Sequence, residues 1–409
     1  MQPHDRSSDA HPRLFTREEF HARQARVAGL AAAAELDAVL VWARGGGTYD
    51  HGGLAYWLAN VYPQFPVIGN RLPVWSGRGH TVVVVPADGP PVLIVDVPYH
   101  RPDLVAVDDV RESPNLLDTV VAVLNERGLE AGRLGIAGES VLPYFWQRHI
   151  AGQLPRAQWL PADALLDRAR RIKSPAEQAH MRRVAAIAAG TTDAMLGAVA
   201  VGKTEGDVVG AGLDYMARHG ATLNNIGLTS GPWAASYSRA RLPNWDPSRV
   251  LARGDMLRFD IVGQYEGYLF DLGRTAVVGQ EPTVQQRALI DGARETVRAV
   301  IAAVRPGVTA GALGALGAEV LAGATFHEYA HPETRSRSSG FSGFGHGLGT
   351  SNEEPWLIAG DATPIEAGMI LAVEKTVGIP GIGGASWEEN LLVTEHGAEV
   401  LTWDPRPWV

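Results

Sequence analysis

The chain has 409 residues, too many for one ordinary core, so two domains are expected. Its 45% hydrophobic and 20% charged content describe a soluble globular protein, and a formal charge of −9 argues against nucleic acid or an anionic membrane surface as partner. It has no cysteine, which excludes disulfides and thiolate metal ligands and fits a reducing compartment such as the cytoplasm.

The polar opening MQPHDRSSDAHPR has no apolar h-region, so no signal peptide is expected. No apolar run approaches the roughly 18 residues of a membrane span. Thr16 and Glu19 have capping-box spacing before an Ala-rich stretch, which predicts a helix over roughly 17–35. The runs AVLVW (38–42), TVVVVP (81–86), PVLIVD (91–96) and RLGIAG (133–138) are β-branched, short and bounded by Gly, Pro or charge, and read as buried strands. A helical pattern at 116–127 lies between the last two. The first part is therefore an α/β domain, taken as 1–170. A second domain, 171–409, opens at Ser174 as N-cap, with Pro175 as first helical residue and Glu177 completing a capping box.

The second domain repeats itself. VGKTEGD (201–207) matches PGVTAGA (306–312), with Gly202 on Gly307, Thr204 on Thr309 and Gly206 on Gly311. Gly254 precedes Asp260 by six residues, as Gly368 precedes Glu374. Two such pairs in the same order predict duplicated halves about a pseudo-two-fold axis. Each ends a strand on a carboxylate, which is unusual for a buried strand.

In 260-DIVGQYEGYLFD-271 the middle is a turn signal. A hairpin folded about Tyr265–Glu266 puts Asp260 opposite Asp271, where Cβ atoms lie about 4.5–5.5 Å apart. Glu374 on a second strand, Glu388 after the turn GIGG (381–384), and His346 in HGLGTSNEEP complete four carboxylates and one imidazole. Two divalent cations would neutralise four carboxylates, and such ligands suit Mn, Fe(II), Co or Zn.

FDIVGQYEGYLFDLGRT, GHGLG, GMILAVEKTVGIPG and WEENLLVTEHGAEVLT, in that order, resemble the creatinase/aminopeptidase P/prolidase "pita-bread" metallohydrolases. RRIKSPAEQAHMRR resembles the helix opening that family's catalytic domain. The resemblance covers about 20–405. It implies an α+β pita-bread catalytic domain behind a creatinase-like α/β domain that covers or reshapes the site's mouth across a homodimer. It implies Asp260, Asp271, His346, Glu374 and Glu388 as ligands of two metals. Asp271 and Glu388 would bridge, Asp260 would hold one metal and His346 the other, and Glu374 would also take a proton from the attacking water. Two metals about 3.5–4 Å apart would activate that water and hold the oxyanion. The expected reaction is hydrolysis of a C–N bond in a small amide or dipeptide, with His346 and Glu374 at the reacting centre.

The resemblance also exposes two departures. Family peptidases usually carry one more histidine some seventeen residues before the first Asp and another seven residues after the metal His. Here the first region, SGPWAASYSRARLPNWD (230–246), has Tyr237, Arg239 and Arg241 but no His, and the second position is Glu353. Tyr237, Arg239, Arg241 and Glu353 are the expected substrate contacts, with Glu353 attracting an N–H or a cation. Loop residues His327 and His331 are expected bystanders. Two alternatives stand beside hydrolysis. One is a metal-dependent elimination of the dimethylsulfoniopropionate lyase type. The other is a metal-stabilised binding protein without turnover.

Overall fold

The computed structural model describes residues 14–45, 52–63, 67–72, 74–96, 101–236, 242–330 and 341–402. The chain divides into two compact units, Met1–Ala169 and Arg170–Val409. Among the described residues no helix is long and apolar enough to cross a membrane.

The first unit opens on α1 (Arg17–Ala33), where the Thr16 side chain accepts a hydrogen bond from Glu19 N. The strands β1 (Ala38–Arg44), β2 (His80–Pro86), β3 (Val92–Val95), β4 (Asp109–Glu112), β5 (Arg133–Ala137) and β6 (Gln158–Pro161) follow. With them come α2 (Gly53–Ala59), α3 (Leu116–Glu126), α4 (Tyr144–Gln153) and α5 (Asp163–Arg170). The sheet order is β4-β3-β2-β1-β5-β6, with β1 antiparallel to β2 and parallel to β5. Residues Val39, Val41 and Ala43 of β1 pack with Val27 and Ala31 of α1 and Trp57 of α2. Their alternates Ala38, Leu40 and Trp42 pack with Leu117, Val120 and Leu124 of α3. Both faces are covered, which is why the strand is apolar throughout instead of alternating. The edge strands β4 and β6 went unseen in the sequence, because DVRE and QWLP are only half-buried and carry no apolar run.

The second unit begins with α6 (Pro175–Gly197), where the Ser174–Glu177 capping box is closed in both directions. Then come α7 (Glu205–Arg218), β7 (Ala221–Ser230), β8 (Met256–Tyr265), β9 (Tyr268–Val277), α8 (Val284–Ala303) and α9 (Ala310–Ala322). The chain finishes with β10 (Gly345–Leu348), β11 (Asn352–Trp356), β12 (Ile370–Ile379), β13 (Gly383–Thr394) and β14 (Gly397–Val400). One sheet runs β7-β8-β9 and the other β11-β10-β12-β13-β14.

The internal repeat is visible in detail. Thr204 caps α7 and Thr309 caps α9, each accepting from the backbone N–H three residues on. Each threonine also forms an isolated antiparallel bridge, Thr204 to Val250 and Thr309 to Pro364. Gly254 and Gly368 take φ of 83° and 90° at matching points before β8 and β12. Each half thus delivers a helix pair and then a hairpin, β8–β9 in one and β12–β13 in the other. Between the helices and the second hairpin lies a core of Leu289, Ala293, Val297, Leu371, Val373 and Leu391.

Candidate metal centre

All five expected ligands lie in the second unit. Four stand on the two hairpins and the fifth, His346, on β10. Glu374 and Glu388 are a direct cross-strand pair of β12 and β13. Asp260 and Asp271 are not, and here the sequence expectation needs correction. Asp260 pairs with Gly273 and Asp271 with Val262. The turn is the two residues Glu266 and Gly267, both left-handed at φ 46° and 79°, as a type I′ hairpin requires. Centring the turn one residue later than expected shifts the register by two. Asp260 and Asp271 still share a face, because strand side chains alternate with period two, and they sit as diagonal neighbours.

The side chains form two overlapping groups. Ligand atoms of Asp271, His346 and Glu388 lie within 4.8 Å of one another, and so do those of Asp260, Glu374 and Glu388. Glu388 belongs to both. His346 Nε2 is 3.7 Å from Asp271 Oδ2 and 3.8 Å from Glu374 Oε1. Its Nδ1 lies 2.9 Å from the Gly347 carbonyl. A carbonyl only accepts, so Nδ1 carries the proton and Nε2 is directed at the carboxylates with its lone pair available.

The electrostatics show what such a cluster lacks. Burial pushes the Glu374 carboxyl up to about 8, and the charges of Asp260 and Asp271 push the same way against His346 and Lys375. Burial raises Glu388 well above the carboxylate range, with Asp271, Glu374 and Asp260 adding to it and Arg274 opposing. Glu388 Oε1 is fully buried with no hydrogen-bond partner among the described residues. Anionic oxygens turned inward on each other, beside an imidazole lone pair, fit divalent cations: such ions supply the missing positive charge and the missing partner for Glu388.

A surrounding shell holds these ligands, and the sequence reading did not name it. Asn390 on β13 accepts from Asp271 N at 3.3 Å and donates to Asp271 O at 2.5 Å. Thr275 Oγ1 donates to Ser386 O at 3.0 Å and accepts from Ser386 N at 2.7 Å. These side chains supply the bonds between β9 and β13, which belong to different sheets and share no ladder. Buried Arg274 donates to Glu388 O and pairs with Glu389 at 2.9 Å. Lys375 Nζ donates to Phe341 O and Gly343 O, both at 3.1 Å, and so secures the approach to β10. The signal available in the sequence was Glu389–Asn390 directly after Glu388 and Arg274 three residues after Asp271, polar residues in otherwise apolar strands.

The expected substrate contacts fare differently. Tyr237, Arg239 and Arg241 lie outside the described residues, as does His331. His327, in the 3-10 turn Thr325–Tyr329, has its Nε2 2.9 Å from Leu321 O. Glu353, an expected substrate contact, has a carboxylate that meets two cations. It hydrogen-bonds Lys173 Nζ, and Arg170 Nη1 lies 2.9 Å away. Glu353 is only 3% exposed. A buried carboxylate needs such partners: Lys173 hydrogen-bonds Oε1, and Oε2 faces the Arg170 charge without a hydrogen bond among the described residues.

Residues 179–395 match the family model for metallopeptidase family M24, and residues 23–172 match that for the creatinase/prolidase N-terminal domain. The Xaa-Pro dipeptidase of Pyrococcus horikoshii is 28% identical over 271 residues, 66% of this chain and 72% of that protein. Among solved structures, the prolidase from Pyrococcus horikoshii superposes with a TM-score of 0.74 at 22% identity, covering 95% of this chain and 100% of that one. Dipeptidase PepE from Mycobacterium ulcerans gives a TM-score of 0.76 at 24% identity, covering 97% and 99%. At that identity the two superpositions speak for the fold alone. The M24 match spans more than half of the chain and contains all five expected carboxylate and histidine ligands, and the chain belongs to metallopeptidase family M24, as a metal-dependent peptide hydrolase.

Proposed function

We propose that the protein is a dinuclear metallo-dipeptidase acting on small peptides. The observation that carries this reading is the pair of overlapping ligand groups that share the buried, unpartnered carboxylate of Glu388. Asp271, His346 and Glu388 would hold one divalent ion, and Asp260, Glu374 and Glu388 the other. When bound, the two ions supply Lewis acidity to the scissile carbonyl and lower the pKa of water at the site. Glu374, partly buried and 3.8 Å from His346 Nε2, accepts the proton of the attacking water and passes it to the departing amine. His346, fixed by its Nδ1 bond to Gly347 O, keeps Nε2 in place through the cycle. Arg274 and Asn390 hold the backbones of Glu388 and Asp271.

The named relatives are an Xaa-Pro dipeptidase, a prolidase and a dipeptidase. That supports a dipeptide substrate here and does not favour the elimination or binding-only alternatives. Manganese is our first choice of ion. A homodimer follows the family resemblance, and the cysteine-free composition supports the cytoplasm. The carboxylate of Glu353 is taken up by Lys173 and Arg170, so it offers no support for recognition of a cationic substrate.

The test is the enzyme reconstituted with Mn(II), assayed for release of free amino acids from a panel of Xaa-Pro and other dipeptides, with a chelated control. Metal-dependent cleavage of any member supports the reading. No cleavage across the panel, with two ions bound, overturns it.

A further inference from the structure

We propose that Glu353, clamped by Lys173 and Arg170, is a positioning residue for the metal ligands His346 and Asp271 and makes no contact with substrate. The proposal rests on the dinuclear reading above. Arg170, Lys173 and Glu353 are 5%, 3% and 3% exposed. Arg170 Nη1 reaches Glu353 Oε2 at 2.9 Å and Thr350 Oγ1 at 3.2 Å, while Lys173 Nζ hydrogen-bonds Glu353 Oε1. On a surface such pairs count for little, but buried cations have no water to replace a lost carboxylate. The geometry of Glu353 is therefore held firmly.

Three pieces of chain meet at this carboxylate. Lys173 N donates to Gly368 O, just ahead of β12, at 2.9 Å, and Gln178 Nε2 donates to Lys173 O at 2.9 Å, so the lysine's own backbone is fixed. Glu353 pairs across the strands with Gly347, the neighbour of His346. Third, a Cβ placed on Gly349 would come within 3.0 Å of Glu353 Oε2, so the carboxylate lies close against the turn backbone. The Gly349 carbonyl in turn accepts from Leu269 N at 2.8 Å, two residues before Asp271. A shift of the Glu353 carboxylate is thus passed to His346 on one side and to Asp271 on the other. Those two ligands converge with Glu388 in one of the two groups. Supporting contacts of this kind typically change metal affinity by about 10–100-fold when removed.

The test uses the full chain, stripped of metal and titrated with Co(II), followed by absorption and calorimetry. Glu353→Gln should weaken one of the two cobalt ions by about tenfold or more and leave the other near wild type. The single change raises the net charge of the cluster by one, and Lys173→Gln added to Glu353→Gln restores it. The double variant should stay as weak as the single, because restoring the charge does not restore the clamp. If Glu353→Gln fails to fold, Glu353→Asp, which keeps the charge but withdraws the carboxylate, gives the same comparison, with the same selective loss expected. The proposal is overturned if the substituted protein binds both cobalt ions as wild type does, if both ions weaken equally, or if the double variant regains wild-type affinity, which would assign the effect to charge alone. A wild-type chain that binds only one cobalt ion would overturn the dinuclear reading alone. The effect of Glu353→Gln on that one ion would still decide the role of Glu353.

Discussion

Glu374 and Glu388 stand directly opposite each other on β12 and β13, while Asp260 is offset from Asp271 by one two-residue step on β8 and β9. The duplicated halves therefore present their acids differently, as a facing pair in one and a diagonal pair in the other. Opposite Asp260 stands Gly273, whose missing side chain leaves the Glu388 carboxylate in ordinary contact distance, with a Cβ there 3.5 Å from Glu388 Oε2. Glu388 can then reach into both ligand groups.

The metal content tests that sharing. Purified or Mn-reconstituted protein should hold close to two divalent ions per chain, and Glu388→Ala, which removes the carboxylate common to both groups, should lose both. Asp271→Ala should release at least one. Elemental analysis of the three proteins checks this; a Glu388→Ala protein that keeps both ions would break the assignment of the shared ligand.

Glu374→Gln keeps the side-chain volume but removes the proposed proton acceptor. Its kcat should fall by about 10²-fold or more, the usual scale for general base catalysis. Circular dichroism should show an unchanged fold. Near-normal turnover with normal metal content would place the base on another group.

Without metal, stability should fall as pH rises. Glu374 has a folded-state value of about 8 against 4.5 for the ordinary carboxyl, and Glu388 is raised as well. Between those limits the folded protein binds more protons than the unfolded chain, so unfolding free energy decreases with pH. The chelated protein should melt lower at pH 8 than at pH 6, and added Mn(II) should raise Tm more at pH 8. Thermal scans at the two pH values, with and without metal, decide it. A chelated protein that is more stable at pH 8 would contradict the expected protonation.

His180 gives the opposite slope. It is 2% exposed, its Nε2 lies 3.2 Å from Tyr265 O, and its ring stacks on Tyr265. Burial lowers its pKa to about 4, with nearby Arg183 acting in the same direction and Glu177 against it. As pH falls from about 6.5 to about 4 the unfolded chain takes up the proton first, which costs the fold about 3 kcal/mol. Measured by urea unfolding of the metal-loaded protein, His180→Phe should lose less stability than wild type over that interval. Parallel curves for the two proteins would show that His180 titrates alike in both states.

Much of this molecule is written locally. The buried strands of the first unit, the Ser174 cap, the repeated Thr204 and Thr309 turns and the residue types of the metal centre all follow from short-range rules: period, capping chemistry and turn residues. Such rules act over a few residues, and a few residues suffice to read them. The edge strands β4 and β6 were missed because their stability comes from neighbours and not from their own composition. The register of β8 and β9 was misjudged because a Glu in the left-handed region at 266 is unusual, and only the completed hairpin shows it. The same is true of Glu353. Its spacing from His346 suggests a substrate contact, and only the fold shows that its charge is met by Lys173 and Arg170, 180 or more residues away in sequence. The sequence by itself singled out four acids and one imidazole as the candidate ligands. Tertiary structure alone decided which of them touch and which are neutralised, because charges lose their water on burial and must find partners wherever the fold brings the chain together.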